Sequence, residues 1–263
     1  KVPVYPEPTT AQAGKPSDLL VSVGPSCYDA LDDLPDAASF EELRKSDENP
    51  VQEWSAHSTY AKEMRCEAPS DWHYGYKRKW ESGLLTSSYR TEHSSISRTR
   101  FAETAPGSVE PISRFFKLSP DGVSNTLRAG TDGARGAFTS PRPIHYKHNR
   151  CVTVREMARL HGFPDWFRFQ QTKWHGARQI GNAVPPPLAR AVASAVIDAM
   201  GVRTSRPRRS MELGDDNLLR MDMTQAAKFW GVPVPLSKRT MKSGAKKRTQ
   251  AQTEQERLKL LAS

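Results

Sequence analysis

Between residues 152 and 201 the chain spells out two helices with both ends marked, and this constrains the fold more than any other stretch. Thr153 followed three residues later by Glu156 is a capping-box pattern, and it predicts a helix over about 152–162. Val154, Met157 and Leu160 lie toward one face of it. Gly162 suits the position just past a helix end, and Pro164 then prevents continuation. A second helix is expected to start in Val184-Pro-Pro-Pro-Leu188, since proline is tolerated in a first turn. Leu188, Val192, Ala195, Val196 and Ala199 recur at helical spacing up to Gly201. The alanines on that face allow close packing against another surface.

Elsewhere the signals are weaker. Apolar residues make up 37% of the chain, and 20 prolines and 16 glycines accompany them. A modest core with long irregular connections follows, in one or two domains. A proline-bearing lead-in with Pro3, Pro6 and Pro8 precedes an acidic helix around Tyr28–Leu31 that ends at Pro35. Residues 114–145 read as short strands with turns, Asp121-Gly122 being one turn signal and Ser124–Arg128 a β-compatible run. Thr224–Val232 looks like the first helix and turn of a helix-turn-helix, but Pro233 and Pro235 suit a recognition helix poorly. Lys242–Arg248 reads as a solvated basic arm.

Charge is unevenly spread. Residues 1–56 hold 4 basic and 11 acidic side chains, 57–200 hold 21 and 12, and 201–263 hold 14 and 6. A polyanion would meet the middle and the tail. DNA or RNA is the natural candidate, because each neutralised phosphate releases a counterion; a charge kept for solubility is the plain alternative. Aromatic residues from Trp54 to Tyr89 alternate with Lys77, Arg78, Lys79 and Arg90. Such residues stack on bases and hold phosphates, and they also fill the core of a small loop-rich domain. Arg128-Ala-Gly130-Thr-Asp-Gly133-Ala-Arg135-Gly136 forms a flexible basic loop, in which glycine permits close approach to a phosphate backbone.

Cys27, Cys66 and Cys151 have no CxxC spacing, and His145, His148, His161 and His175 have no metal-ligand spacing, so neither a disulfide framework nor a metal site is expected. No apolar run is long enough to span a membrane and no signal peptide is visible. A cytoplasmic setting of prokaryotic or phage type is the expectation.

Two segments carry a specific resemblance. Arg150-Cys-Val-Thr-Val-Arg-Glu-Met-Ala-Arg-Leu-His-Gly-Phe-Pro-Asp165 resembles the ninth conserved block of DNA cytosine-5 methyltransferases, and Arg178-Gln-Ile-Gly-Asn-Ala-Val-Pro185 resembles their tenth. Order and spacing both match. Thr126-Leu127 and the glycine-rich loop resemble the family's target-recognition loop, and residues 1–60 the variable stretch after the eighth block. The family's Phe-x-Gly-x-Gly loop, Pro-Cys nucleophile, Glu-Asn-Val and Gln-Arg-x-Arg do not occur in this sequence.

The resemblance implies an α+β chain. Residues 1–50 would be a linker after a catalytic domain, 51–148 a small target-recognition domain, 149–201 the last blocks, packed in the family on an α/β methyltransferase domain, and 202–263 a basic, partly disordered tail. It implies that Asn182 and Ala183 touch S-adenosylmethionine, shared with the catalytic part. Read from the residues alone, Asn182 stands just before a helix start, and a helix-capping asparagine is the favoured reading. Thr126, Arg128, Gly130 and Arg135, with Lys77 and Arg78, are the expected contacts to double-stranded DNA. Glu156 is expected to cap its helix and Arg155 to brace the recognition domain against the rest. No catalytic residue is expected. The implied protein is the C-terminal part or second subunit of a methyltransferase, of the kind found in restriction-modification, with a complementary chain carrying the first eight blocks. The alternative is a stand-alone DNA-binding protein derived from such an enzyme.

Overall fold

The computed structural model describes residues 2–13, 21–67, 77–131, 140–205 and 209–234, and residues 252, 255, 258 and 259 near the end. The chain is α+β, with seven α-helices, three short 3-10 helices and two two-stranded sheets assigned among these residues. Helix α1 (Cys27–Leu31) opens with a capping box, the Ser26 hydroxyl taking the Asp29 amide while the Asp29 carboxylate takes the Ser26 amide. Helices α2 (Thr59–Met64) and α3 (Ser95–Glu103) follow, each capped by a serine. Helix α4 (Val154–Leu160) carries the capping box of Thr153 and Glu156, with Gly162 beyond its end at φ +85°. Helices α5 (Lys173–Asn182), α6 (Pro186–Met200) and α7 (Met223–Trp230) complete the set.

Strands β1 (Asn49–Pro50) and β3 (Leu84–Leu85) pair antiparallel, and β2 (Lys77–Lys79) pairs in parallel with β4 (Ser210–Glu212). Among the described residues of 114–145 the expected strands reduce to isolated bridges such as Val109 with Phe116 and Lys117 with Ile144. Pro111, Pro120, Pro141 and Pro143 lack the amide proton a ladder needs, which keeps those bridges from extending.

One core gathers distant parts of the chain. Leu31, Leu43, Leu85, Leu118, Val152, Met157, Ala177 and Ile180 are buried together in it. Residues 27–43, expected as part of a linker, therefore supply core side chains, because α1 packs against both α2 and α4. Burial of one such leucine or isoleucine contributes roughly 1.5–3 kcal/mol. A satellite cluster of Phe101, Ile144 and Cys151 lies beside Phe115.

Charge is buried inside this core as well. Arg159, fully buried, donates to Asp165 Oδ1 at 2.6 Å and Oδ2 at 2.7 Å, to both Asp33 carboxylate oxygens at 3.0 Å, and to the Ala30 carbonyl. Arg150 bridges Glu156 and Asp36. Arg155 donates to the Thr86 hydroxyl at 2.7 Å and to the carbonyls of Thr86, Pro164 and Phe167. Each guanidinium thus ties α4 to segments far away in sequence.

Residues 210–219 of the tail are docked. Beyond the β2–β4 pairing, Arg168 donates to Asp216 and Leu219 accepts from the Gln171 amide. In this part of the basic tail the acids Glu212 and Asp216, set among basic residues, find Lys79 and Arg168. The arm Lys242–Arg248 and Pro235 lie outside the described residues. Helix α7 ends at Gly231 (φ +63°), where the helix-turn-helix reading places a turn, and the residues from 235 to 251 that a second helix would use lie outside the described residues.

Candidate DNA interface and cofactor wall

The site is assembled around α5. Thr172 caps its start, accepting from the His175 amide, and Ala177 and Ile180 anchor one side in the core. Gly176 lies against α4: a Cβ there would stand 2.9 Å from Val154 Cγ1 and 3.0 Å from the Gln170 carbonyl. On the side toward the glycine-rich loop, Trp174 Nε1 donates to the Thr131 carbonyl at 3.1 Å. Nearer the C-terminal end, Gly181 touches the backbone of Arg128 and Ala129.

The expected DNA contacts fall into three groups. Thr126 and Arg128 are exposed on either side of Leu127, which is buried in the core, and Gly130 turns the chain at φ +72°, a conformation that favours glycine. Arg135 lies outside the described residues. Lys77 and Arg78 lie on β2, away from this loop in sequence. Lys77 is exposed, whereas the Arg78 guanidinium sits 4.9 Å from the centre of the Trp166 ring. Their neighbour Lys79 is paired with Glu212 at 2.6 Å. Thr126, Arg128 and Gly130 thus lie together on the stem of the loop, while the β2 cations lie on a strand paired with the tail strand β4.

Asn182 is the last residue of α5, and Ala183 its C-cap. The reading of Asn182 as a helix cap is corrected here. Pro185 occupies the N-cap of α6, because the run Pro185–Pro187 presets the first turn and brings no amide protons that need a cap. Asn182 thus precedes that cap by several residues and stands at the carbonyl end of α5, not at a helix N-terminus. It is exposed, and no hydrogen bond of its side chain is found among the described residues. Ala183 is engaged through its backbone: its amide donates to the Ile180 carbonyl, and its carbonyl lies 3.0 Å from His161 Nε2. Its methyl group packs against the main core cluster.

Helix α6 begins beside the end of α4, where a Cβ on Gly162 would meet Pro187 Cδ at 2.7 Å. None of its residues is buried. Leu188, Val192, Val196 and Met200 form an apolar stripe at four-residue spacing, 46%, 42%, 38% and 69% exposed.

The cysteines are poor nucleophiles in this setting. Burial pushes the thiols of Cys27 and Cys66 up to about 12 and that of Cys151 up to about 11, so all three stay protonated near neutrality. Among the described residues no group of three or more histidine, cysteine or acidic side chains is arranged to hold a metal ion. No helix of the described residues is long and apolar enough to cross a membrane.

Comparison with known proteins places this geometry. A family model for C-5 cytosine-specific DNA methylase matches residues 22–198. Type II methyltransferase M.XorII of Xanthomonas oryzae pv. oryzae is 49% identical over 231 residues, covering 88% of this chain and 51% of that protein. DNA (cytosine-5)-methyltransferase 2 of Arabidopsis thaliana is 42% identical over 81 residues, 28% of this chain and 5% of that one. A solved structure described as a DNA modification methyltransferase encoded within an E. coli prophage superimposes with a TM-score of 0.52 at 28% identity, over 70% of this chain and 49% of that one. The chain spans about half the length, or less, of these relatives. The match over 22–198 takes in the whole of α1 to α5 and nearly all of α6, so the elements that build the site are those the relatives share: the chain belongs to the C-5 cytosine-specific DNA methylase family.

Proposed function

We propose that this chain is the C-terminal portion or second subunit of a DNA (cytosine-5)-methyltransferase, working in DNA methylation of the restriction-modification type in a prokaryotic cytoplasm. In this reading residues 51–148 recognise double-stranded DNA, and residues 149–201 supply one wall of the S-adenosylmethionine site. The observation that carries it is the uncovered apolar stripe of α6, directly after Asn182 and Ala183, in a chain half the length of M.XorII. A stripe of that kind marks a surface built to be covered. The occupant proposed is the complementary half, which holds the nucleophile this sequence lacks.

The residues at the end of α5 fit one wall of a cofactor site and not a whole one. Asn182 offers an amide donor and acceptor with no hydrogen-bond partner among the described residues, and Ala183, packed on the core, fixes the chain beside it. S-adenosylmethionine, when bound, supplies an electrophilic methyl group. Asn182 would orient it by hydrogen bonding, while the opposite wall comes from the complementary half. Arg155 and Glu156 serve this site indirectly, by tying α4 to Thr86, Phe167 and Arg150.

The test is a methylation assay with labelled S-adenosylmethionine. The chain alone is expected to transfer no label to DNA, and co-expression with a complementary half is expected to restore transfer. Val192→Asp should weaken that association roughly 100-fold or more, because an unpaired carboxylate would be buried at the joint. Transfer by the chain alone sinks the split reading. DNA binding with no transfer in any combination favours the stand-alone DNA-binding protein.

Arg128 gives a second test. If its exposed guanidinium meets a phosphate, Arg128→Ala lowers the slope of log affinity against log salt by about one and weakens all sequences alike. If it reads a base, one position loses roughly 1–3 kcal/mol of discrimination instead. Unchanged slope and unchanged specificity remove Arg128 from the interface.

A further inference from the structure

Gly181 and Asn182 are adjacent, yet they face different surroundings. Consecutive residues on a helix point about 100° apart. Asn182 is exposed, whereas a Cβ on Gly181 would stand 2.4 Å from the Ala129 amide nitrogen and 2.5 Å from the Arg128 carbonyl carbon. Those atoms are backbone and cannot swing aside. Seven residues earlier on α5, Trp174 holds the Thr131 carbonyl through its indole N–H. The Arg178 guanidinium, between them at helical spacing, lies 5.1 Å from the centre of the Trp174 ring. Trp174, Arg178 and Gly181 occupy one face of the helix.

The stem of the glycine-rich loop is therefore gripped at three points. Leu127 is buried in the core, the Arg128–Ala129 backbone lies on Gly181, and the Thr131 carbonyl is held by Trp174. The seat itself is firm, because Ala177 and Ile180, on the adjoining flank of α5, are buried in the core. A loop that reads DNA inherits its position from its stem, and a small shift there moves every contact beyond it.

We propose that Trp174 and Gly181 are positioning residues for DNA recognition, and that the loop-facing side of α5 is the seat that sets where the recognition loop stands. The resemblance of Arg178–Pro185 to the tenth block implies a cofactor role for that segment; this seat adds a second role on the neighbouring face. The proposal rests on the reading that the chain recognises DNA.

The test uses the full chain with Trp174→Phe, which removes the indole N–H and keeps an aromatic ring beside Arg178. Gly181→Ala is the second variant, and Trp174→Phe keeps the test open should that one fail to fold. Three measurements are made: the rate of tryptic cleavage after the exposed Arg128, affinity for a pool of duplex DNA, and the urea midpoint. In Trp174→Phe, cleavage at Arg128 is expected to quicken and DNA binding to weaken by roughly 3- to 10-fold, the range of one lost hydrogen bond, with the urea midpoint lowered by no more than the loss of that one bond allows. A wild-type cleavage rate in Trp174→Phe overturns the proposal. Faster cleavage with wild-type DNA affinity overturns it too, and leaves DNA recognition by the chain standing. A wild-type chain that binds no DNA overturns the proposed function, and this proposal with it.

Discussion

Replacing Arg159 with Met is expected to be among the most damaging single changes in the protein, at a cost of about 3–5 kcal/mol. Arg159 is fully buried and stands between two buried carboxylates, Asp33 and Asp165, which it holds at 2.6–3.0 Å. Burial alone would push the Asp165 carboxyl up, but Arg159, with Arg155 and Arg65 beside it, holds it below the usual carboxylate range. Met fills similar volume but leaves two unpaired acids in the core. They must then ionise without a partner or take up protons, and either course destabilises the fold. Combining Arg159→Met with Asp33→Asn and Asp165→Asn removes the stranded charge, and much of the loss should be recovered. Urea denaturation at neutral pH measures both. A single-variant loss under about 1 kcal/mol would show that water reaches the site and that Arg159 is not the tie described here.

Acid should unfold the protein from an unusually high pH. His145 is buried, and its Nδ1 accepts from the amides of Lys147 and His148 at 3.0 and 3.3 Å, so a proton on that nitrogen would meet two donors. Burial pushes its pKa down from 6.5 to about 4, against the pull of Glu156. His93, whose Nε2 accepts from the Cys151 amide at 3.2 Å, is also pushed down to about 4, by burial and then by Arg142, Lys173 and Arg150. Between pH 6.5 and 4 the unfolded chain binds these protons and the folded chain does not. Stability is therefore complete above about pH 6.5 and falls as pH drops toward 4. For His145 the loss is on the order of 3 kcal/mol across that window.

Glu156 extends the effect to lower pH. Burial alone would raise its carboxyl, but the charge and hydrogen bonds of Arg150 outweigh burial and hold it at about 2 against an ordinary 4.5. Its contribution is present above about 4.5 and is lost as pH falls through 2. Urea midpoints taken from pH 8 to 4 should decline steadily below 6.5, and His145→Gln should flatten the decline. A profile level between pH 7 and 5 would mean that His145 and His93 take up protons in the folded chain without cost.

What the sequence determined by itself was local, or a matter of lineage. The capping box at Thr153 and Glu156, the left-handed glycines Gly162 and Gly201, and the proline start of α6 were legible because each acts within a few residues along the chain. The blocks at 150–165 and 178–185 pointed to the family for the same reason: they are contiguous. Even there the local reading had a boundary. Asn182 was placed before a helix start, whereas α5 runs through it and ends there.

Only the tertiary structure decided the rest. Arg159 finds Asp33 across 126 residues, and Lys79 finds Glu212 across 133, and no spacing rule joins such pairs. Arg78 and Lys79 carry the same charge in the sequence, yet one lies over a tryptophan ring and the other meets a tail acid. Gly181 reads in sequence as part of a cofactor motif, and its contact with the Arg128–Ala129 backbone exists only because Ala177 and Ile180 anchor α5 in a core that α1 and α4 also share. Capping and turn preferences are free energies of a residue and its near neighbours, whereas these contacts come from burying one continuous apolar surface, which depends on the whole chain at once.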